Sequence, residues 1–207
     1  MSAGTCLIFA GGPEAGMPCL PLPESPFVLC ADSGLRTAQA LGIKPDLVLG
    51  DFDSLGFVPQ ALPHQVSPAE KDDTDTMLCV RTALSRGFRS ILIAGAFGGR
   101  LDHTAANLQT MEFALRHGAV CTLAGPDNFA CLQQSGTARY KRIDGFSFSV
   151  LAWTETCRGV TLSGTQYPLE NGTLTRSFPL GVSNAITGEY AEVTCTEGIL
   201  LIIGSRL

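Results

Sequence analysis

The first 126 residues alternate two kinds of hydrophobic pattern. Five runs are almost continuously apolar, as parallel strands covered on both faces are; they read CLIFAGG, FVLCADS, DLVLGD, SILIAGAFGG and AVCTLAGP. Three segments between them have helix-like character and end at a glycine, which is typical of helix C-termini; they read SGLRTAQALG, DDTDTMLCVRTALSRG and DHTAANLQTMEFALRHG. Strands that alternate with helices predict a doubly wound α/β domain with a mostly parallel sheet.

The first connection of this domain departs from the pattern. Residues 11–26 contain five prolines, at positions 13, 18, 21, 23 and 26. Because proline has no backbone N–H and breaks helices, we expect an irregular loop here rather than a crossover helix.

The pattern changes after about residue 127. Short β-rich runs follow one another without helical periodicity, separated by turn residues such as ENG; they read FSFSVLAW, GVTLSG, TLTRSF, YAEVTCT and ILLIIGS. This predicts a small antiparallel sandwich or barrel over residues 127–207. A domain of that size has a thin core and exposed sheet edges, so we expect it to pack against a second copy.

Composition and charge narrow the possible partners. Apolar residues make up 45% of the 207 residues and charged residues 16%, which is typical of a compact globular chain. The net charge of −5 and the absence of a basic cluster argue against nucleic acid and anionic membranes as partners. The eight cysteines show no zinc-ligand spacing, and the N-terminus has no signal-peptide pattern, so we expect a cytoplasmic protein with reduced thiols.

Carboxylates collect where the predicted strands end. In open α/β sheets, ligands bind outside the carboxyl ends of the strands. The polar residues that follow strands or begin helices on this rim are Asp32, Asp51, Asp53, Asp72, Asp73, Asp75, Arg100 and Asp102. Oxygen ligands without cysteine or histidine suit a hard cation such as Mg²⁺, and the glycines of GAFGGR offer backbone N–H groups to an anion. The convergence predicts a site for a metal-bound polyphosphate.

Each residue of this set also has a plain structural interpretation. Asp72 or Asp73 is favoured as a helix cap, and Gly98-Gly99 can be a tight turn. His103 is better interpreted as a residue at a helix start, packed near the site, than as a metal ligand. The chain contains neither a Walker A pattern nor G-x-G-x-x-G, which excludes a P-loop and a standard dinucleotide fold.

Several longer motifs make the chain resemble the thiamine pyrophosphokinase (thiamine diphosphokinase) family. In chain order they are ADSG, LGIKPDLVLGDFDS, EKDDTDT, GAFGGRLDHTAANL, GTQYPLENGTL and GVSN, and the resemblance runs from about residue 27 to the end. It implies a catalytic α/β domain (1–126) that binds ATP and Mg²⁺. It also implies a β-sandwich (127–207) that binds thiamine and forms a homodimer, with active sites where domains of two subunits meet. The implied reaction is transfer of the pyrophosphoryl group of ATP to the hydroxyl of thiamine, with release of AMP.

The resemblance also implies roles for individual residues. Asp51, Asp53 and Asp75 would hold Mg²⁺ and would be catalytic together with Arg100 and Asp102. The set implied for nucleotide and cofactor binding is Asp32, Lys71, Asp72, Thr74, Arg100, Asp102 and His103. Thiamine would contact Asp51, Ser183 and Asn184.

Two other functions are compatible with the residues taken alone. One is a kinase that transfers a single phosphate and releases ADP. The other is a non-catalytic sensor of a nucleotide or of thiamine, which is disfavoured because none of the matching carboxylates is missing.

Overall fold

The structure, a computed structural model, describes residues 4–12, 16–68 and 72–207. The chain divides into two compact units, residues 1–127 and 128–207. In the first unit the elements are β1 (Thr5–Phe9), β2 (Phe27–Ala31), α1 (Gly34–Ala40), β3 (Leu47–Gly50), β4 (His64–Val66), α2 (Asp75–Ser85), β5 (Ser90–Ala94), α3 (Leu101–Arg116) and β6 (Val120–Ala124). The five predicted strands and three predicted helices of this unit are confirmed, with ends that differ by a few residues.

All strand pairs within the first unit are parallel, in the order β4-β3-β2-β1-β5-β6. The connection from β2 through α1 to β3 runs in one direction along the sheet, and the connection from β4 through α2 to β5 runs in the other. Because crossovers between parallel strands are right-handed, this reversal puts α1 and α2 on opposite faces. Helices α2 and α3 contact each other, as helices on one face should. The doubly wound fold class is confirmed.

One core of this unit lies between the sheet and α1. It combines alternate residues of the central strands, among them Leu7, Phe9 and Val28, with Leu35 of α1 and Phe52 of the loop after β3. The side chains are almost completely buried. The loop after β3 is therefore anchored in the core although it contains no regular structure.

The first unit differs from the prediction at β4. This strand of three residues lies at the sheet edge and joins β3 through a loop, without a helix between them. A strand this short, with two of its three residues exposed, gives no periodic signal. The described parts of the proline-rich connection, residues 11–12 and 16–26, contain neither helix nor strand, as expected. Its residues 13–15 lie outside the described ranges.

The second unit consists of strands β7 (Asn128–Gln133), β8 (Gly136–Lys141), β9 (Phe146–Ala152), β10 (Thr156–Ser163), β11 (Leu169–Thr175), β12 (Tyr190–Cys195) and β13 (Leu200–Arg206). Their pairing is antiparallel, in the orders β7-β13-β9 and β11-β10-β12-β8. The predicted β-sandwich is thus confirmed. Strands β7 and β8 had not been predicted.

One predicted turn is wrong. The ENG segment lies inside β11, where Asn171 has a φ of 47° and the register with β10 shifts. Asparagine tolerates this left-handed conformation, so the same residues serve a strand irregularity here rather than a chain reversal. Among the described helices, the longest has 16 residues, and none has the length and apolar character needed to cross a membrane.

Candidate active site

A cleft opens at the point where the direction of winding reverses, between the carboxyl ends of β1 and β5. Ligands bind at such switch points because the neighbouring connections diverge there. The cleft has a volume of about 400 Å³ and lies entirely within the first unit. Its lining residues are 10–12, 31–33, 54, 74–76, 95–100, 103, 106 and 107.

Three carboxylates from three different elements meet at this cleft. Asp32 follows β2, Asp51 follows β3, and Asp75 is the first residue of α2. One carboxylate oxygen of each lies within 4.8 Å of the others. Opposite ligands of an octahedral Mg²⁺ lie roughly 4 Å apart, since its bonds are about 2.0–2.1 Å. The three oxygens are therefore close to the spacing that one small cation requires.

Asp32 is the least solvated member of this acidic cluster. Its residue is only 6% exposed, and its Oδ1 is the buried side-chain oxygen that lacks a hydrogen-bond partner among the described residues. Burial raises the pKa of Asp32, and the charges of Asp75 and Asp53 raise it further; hydrogen bonds with Ser54 and the Ser33 backbone act in the opposite direction. A buried acceptor without a donor is costly, and a cation beside it would remove that cost. The donor set thus fits a hard divalent ion.

The loop after β3 carries two carboxylates, Asp51 and Asp53, separated by one residue. Phe52 has a φ of 64° and is buried, so it turns into the core while its neighbours stay at the rim. The backbone N–H of Asp53 donates to Asp51 Oδ1 at 3.2 Å, and Ser54 Oγ donates to Asp53 Oδ1 at 3.0 Å. These bonds orient both carboxylates at the rim. The structure brings Asp51 into the acidic cluster and leaves Asp53 beside it.

The start of α2 corrects one expectation. The cap is neither Asp72 nor Asp73 but Thr74, whose hydroxyl accepts a hydrogen bond from the Met77 N–H at 3.1 Å. Asp73 instead forms an ion pair with Arg81 at 2.9 Å. Because Thr74 caps the helix, Asp75 occupies the first turn, where the helix dipole stabilises a negative charge.

On the opposite side of the cleft, a glycine-rich loop precedes α3. Gly95, Gly98 and Gly99 have φ values of 73°, 86° and 61°, which side chains disfavour. A Cβ on Gly12 would clash with the carbonyl oxygens of Gly95 and Phe97, so only glycine lets β1 and this loop approach so closely. Backbone N–H groups at such a loop and at a helix N-terminus form a site suited to phosphate.

Two side chains of α3 shape this loop. The buried Asn107 donates from Nδ2 to the Ala96 carbonyl at 2.8 Å. Arg100 and Asp102 form an exposed two-point ion pair, with Nε–Oδ1 and Nη2–Oδ2 distances of 3.1 and 2.6 Å. Hydrogen bonding by Arg100 holds the pKa of Asp102 below its ordinary value. Exposed pairs of this kind are weak, so the Arg100 guanidinium is available to a phosphate group.

The sequence-predicted residues fall into several groups. Asp32, Thr74, Asp75, Arg100 and His103 line the cleft, and Asp51 joins the acidic cluster. Asp53 and Asp102 are not among the lining residues, but each accepts a hydrogen bond from one that is: Asp53 from Ser54, and Asp102 from Arg100. Asp72 is absent from the lining, and Lys71 lies outside the described residues.

Sequence reasoning missed several lining residues, namely Gly11, Gly12, Ser33, Ser54 and Asn107. The Gly-Gly pair after β1 carried a usable signal, because glycines at the end of the first strand allow a close approach to a ligand or loop. The sequence carried no such signal for Asn107, because the role of this residue depends on one tertiary hydrogen bond.

The remaining predicted residues, Ser183 and Asn184, belong to the second unit. Ser183 has a φ of 59°, and its N–H donates to Ser149 Oγ at 3.1 Å. Asn184 is 4% exposed; its Oδ1 accepts from the N–H groups of Tyr167 and Ala185, and its Nδ2 donates to the Tyr167 carbonyl. The Asn184 amide therefore holds the loop in place, and Ser183 is the more accessible of the two.

Comparison with known proteins gives a consistent result over both units. Residues 22–123 match the family model described as the catalytic domain of thiamin pyrophosphokinase. Residues 139–200 match the model described as the vitamin B1 binding domain of the same enzyme. The two models follow each other in chain order and together span most of the chain.

Individual relatives agree with these models. The chain is 29% identical to the thiamine pyrophosphokinase of Bacillus subtilis strain 168, over 97% of this chain and 98% of the relative. A crystal structure of the Bacillus subtilis thiamine pyrophosphokinase is similar with a TM-score of 0.89 and 28% identity, covering 98% of this chain and 99% of that one. The enzyme structure from Geobacillus thermodenitrificans gives a TM-score of 0.84 at 28% identity, covering 98% of each chain.

Proposed function

The chain belongs to the thiamine pyrophosphokinase family, and we propose that it transfers the pyrophosphoryl group of ATP to the hydroxyl of thiamine, forming thiamine diphosphate and AMP. The observation that carries the proposal is the match of both family domains, in order, to a chain whose cleft holds a convergent set of carboxylates. ATP would occupy the cleft at the switch point. The family match does not locate the chemistry on this chain, and the acidic cluster supports a location at this cleft.

We propose that Asp32, Asp51 and Asp75 hold Mg²⁺ when ATP is bound. Their spacing, their oxygen-only chemistry and the unpartnered Asp32 Oδ1 support this assignment. When bound, the ion would neutralise phosphate charge and align the polyphosphate. Asp53, also predicted as a ligand, would contribute its charge from a position next to the acidic cluster.

The phosphates would lie between the acidic cluster and the glycine-rich loop. Backbone N–H groups of residues 97–100 and the N-terminus of α3 would bind phosphate oxygens. Arg100 would exchange its ion pair with Asp102 for a two-point contact with a phosphate. We keep Thr74 and His103 as residues that contact the nucleotide, because both line the cleft.

The transfer itself requires positioning and charge neutralisation more than covalent help from the protein. The thiamine hydroxyl oxygen would attack the β-phosphorus of ATP, a new P–O bond would form, and the bond to the AMP oxygen would break in line with it. The proton of the hydroxyl would leave to solvent or to a carboxylate of the acidic cluster. A negative cluster also suits the fixed positive ring of thiamine.

We further propose that thiamine is bound with the help of the second unit, near Ser183, and that two chains form the working enzyme. The second unit exposes large apolar side chains, which a second copy would cover; they are Tyr167, Phe178, Leu180 and Val182.

None of the eight cysteines forms a disulfide, and all eight lie within the described residues. Because disulfides form mainly in oxidising compartments, the free thiols support a reducing, cytoplasmic location.

The decisive experiment uses ATP labelled at the β-phosphate, with Mg²⁺, thiamine and the purified protein. We expect the label in thiamine diphosphate and unlabelled AMP as the second product, separated by chromatography. Reactions without thiamine and with Asp51→Asn serve as controls for ATP hydrolysis. Label retained in ADP would indicate a single-phosphate kinase, and binding without turnover would indicate a sensor; either outcome would refute the proposal.

The dimer requires its own measurement. Light scattering of the purified protein should give twice the mass of one chain, and Leu180→Asp should lower it, because a charge would have to be buried in the interface. A monomeric mass together with full activity would remove the claim of a shared site.

A further inference from the structure

The segment that carries Asp32 and the loop that carries Asp51 are tied together at three points. At the first, Gly50 packs on the backbone and Cβ of Asp32. At the second, the Ser54 hydroxyl lies beside the Asp32 carboxylate and favours its charged form. At the third, Arg36 Nη2 donates to the carbonyl oxygens of Ser54 and Leu55, at 3.2 and 3.1 Å. The first two ties involve residues of the cleft, and the third comes from outside it.

Arg36 is well placed to transmit position between the two segments. It lies in the first turn of α1, and its own N–H donates to the Ser33 carbonyl at 3.0 Å. Its backbone is thus held next to Asp32, while its guanidinium holds the end of the loop that begins at Asp51. A guanidinium is a rigid planar donor, so two carbonyls bound to it keep a defined distance from the helix.

We propose that Arg36 is a positioning residue for the cation site, which it keeps assembled by holding the Asp51 loop against the Asp32 segment. The inference rests on the proposed function in one respect, namely that the acidic cluster binds a divalent cation. Arg36 itself touches neither the cation nor the substrates. It acts through the carbonyl groups of Ser54 and Leu55.

The sign of the effect separates this role from a purely electrostatic one. Arg36 carries a positive charge close to a site for a cation, so removing that charge alone should strengthen cation binding. If Arg36 positions the loop, its removal should instead weaken cation binding, because the carboxylates would have to be ordered when the ion binds. The two roles therefore predict opposite changes for the same variant.

Arg89 provides a matched control. It is also an arginine whose guanidinium donates to two backbone carbonyls, those of Leu84 and Phe88, at 3.2 and 2.8 Å. It directly precedes β5 and so lies at the amino ends of the parallel strands, whereas the acidic cluster lies at their carboxyl ends. Arg89→Ala removes the same number of charges and comparable bonds, away from the site.

The test measures Mn²⁺ binding without ATP or thiamine, from the electron paramagnetic resonance signal of the free ion. Mn²⁺ shares the oxygen-ligand preference of Mg²⁺. We expect Arg36→Ala to raise the dissociation constant about 3- to 10-fold, which is modest because the lost bonds are partly exposed. Arg36→Lys, which keeps the charge but not the fork, should be intermediate. Arg89→Ala should bind Mn²⁺ as the unmodified protein does.

Unchanged or tighter Mn²⁺ binding by Arg36→Ala would overturn the inference. So would equal weakening by Arg89→Ala, which would mean general loosening, or the lack of any Mn²⁺ site in the unmodified protein. If Arg36→Ala does not fold, Arg36→Lys decides by the same criteria. Because this measurement contains no substrate, it is independent of the product assay, and the function can fail while Arg36 is confirmed, or the reverse.

Discussion

Gly50 packs against Asp32 so closely that a Cβ at residue 50 would lie 3.0 Å from the Cβ of Asp32 and 3.2 Å from its Cα. The backbone pairing continues at this point, because the Asp32 N–H donates to the Leu49 carbonyl at 2.8 Å. The absence of a side chain at residue 50 thus sets how near the ends of β2 and β3 can come. Two of the three clustered carboxylates depend on that distance.

Gly50→Ala is expected to lower both activity and stability. The added methyl group would displace Asp32 by a few tenths of an ångström, and misplacement by about 1 Å can cost roughly 100-fold in rate. We expect turnover to fall about 10-fold, with a loss of about 1–3 kcal/mol in stability from overpacking. Steady-state kinetics and thermal unfolding measure the two effects.

Gly4→Ala is the control for this prediction, since a Cβ at residue 4 would meet no atom within 4 Å. It should leave both activity and unfolding temperature unchanged. Wild-type turnover by Gly50→Ala would show that the close approach is not needed for the site.

Asp51 and Asp53 are expected to divide the work of the loop between them. Asp51→Asn and Asp53→Asn should each lower turnover at least ~100-fold, because phosphoryl transfer depends on charge neutralisation around the polyphosphate. Only Asp51 belongs to the acidic cluster, whereas the Asp53 carboxylate accepts from Ser54. We therefore expect Asp51→Asn to weaken Mn²⁺ binding without ATP strongly, and Asp53→Asn to weaken it much less.

Asp73→Asn is the comparison variant for these two. Asp73 belongs to the acidic stretch that contains Asp75, but it forms a partly exposed ion pair with Arg81, for which small effects are usual. It should retain near-normal turnover and Mn²⁺ binding. Near-normal turnover in Asp53→Asn would remove that residue from the proposed site.

The parts of the fold that the sequence predicted are those with a periodic signal. Continuous apolar runs identified the five central strands of the first unit because strands buried on both faces exclude polar residues. Strand β4 escaped prediction because three residues at a sheet edge are too few to show any period. The ENG segment was misread because the same residue types that form turns also accommodate an irregularity within a strand.

The candidate site was predicted where chemistry and strand ends coincide, and was missed where it depends on tertiary contacts. Asp32 and Asp51 follow apolar runs, so the rule for parallel sheets predicts that both lie on one rim. The distinction between Asp51 and Asp53 required the buried, left-handed Phe52. Arg36 and Asn107 donate hydrogen bonds to segments that are distant from them in the chain, so no local sequence pattern predicts these contacts.

Arg100→Ala is expected to weaken ATP binding. Loss of a charge-assisted contact with phosphate should raise KM for ATP about 10-fold or more. Arg100→Lys should recover only part of it, because an ammonium group cannot form the forked contact. Initial rates at varied ATP concentration measure this change.

Arg116→Ala tests whether the effect is specific. Arg116 is the last residue of α3, at the end opposite Arg100, and it also pairs with a carboxylate, since its Nε and Nη2 both donate to Glu112 Oε1. Its removal should leave KM for ATP unchanged. If Arg100→Ala also has a normal KM and turnover, Arg100 has no part in phosphate binding.

Asp32→Asn is expected to stabilise the metal-free protein at neutral pH while it abolishes most activity. Burial raises the pKa of Asp32, so the folded protein holds its proton more tightly than the unfolded chain does. The stability that this carboxyl contributes is then fully present below its unfolded pKa and is lost as pH rises through the folded pKa. At pH 7, well above the unfolded pKa, the buried Asp32 therefore opposes folding relative to a neutral amide.

The pH dependence and the metal dependence make this prediction specific. In thermal unfolding at pH 7 without metal, Asp32→Asn should melt higher, by about 2–4 °C for each kcal/mol gained. Near pH 3, where the carboxyl is protonated in both states, the difference should shrink. Asparagine also tolerates the φ of 45° at this position, so no backbone strain masks the effect.

Mg²⁺ should reverse the order of stability. A ligand that binds only the folded state raises its stability, so added Mg²⁺ should raise the melting temperature of the unmodified protein and have little effect on Asp32→Asn. Asp144→Asn removes a carboxylate that is 89% exposed, in the second unit, and should change none of these values. A lower melting temperature for metal-free Asp32→Asn at pH 7 would contradict the prediction. It would mean that the buried carboxylate stabilises the fold, whereas we expect it to destabilise the metal-free fold and to serve cation binding.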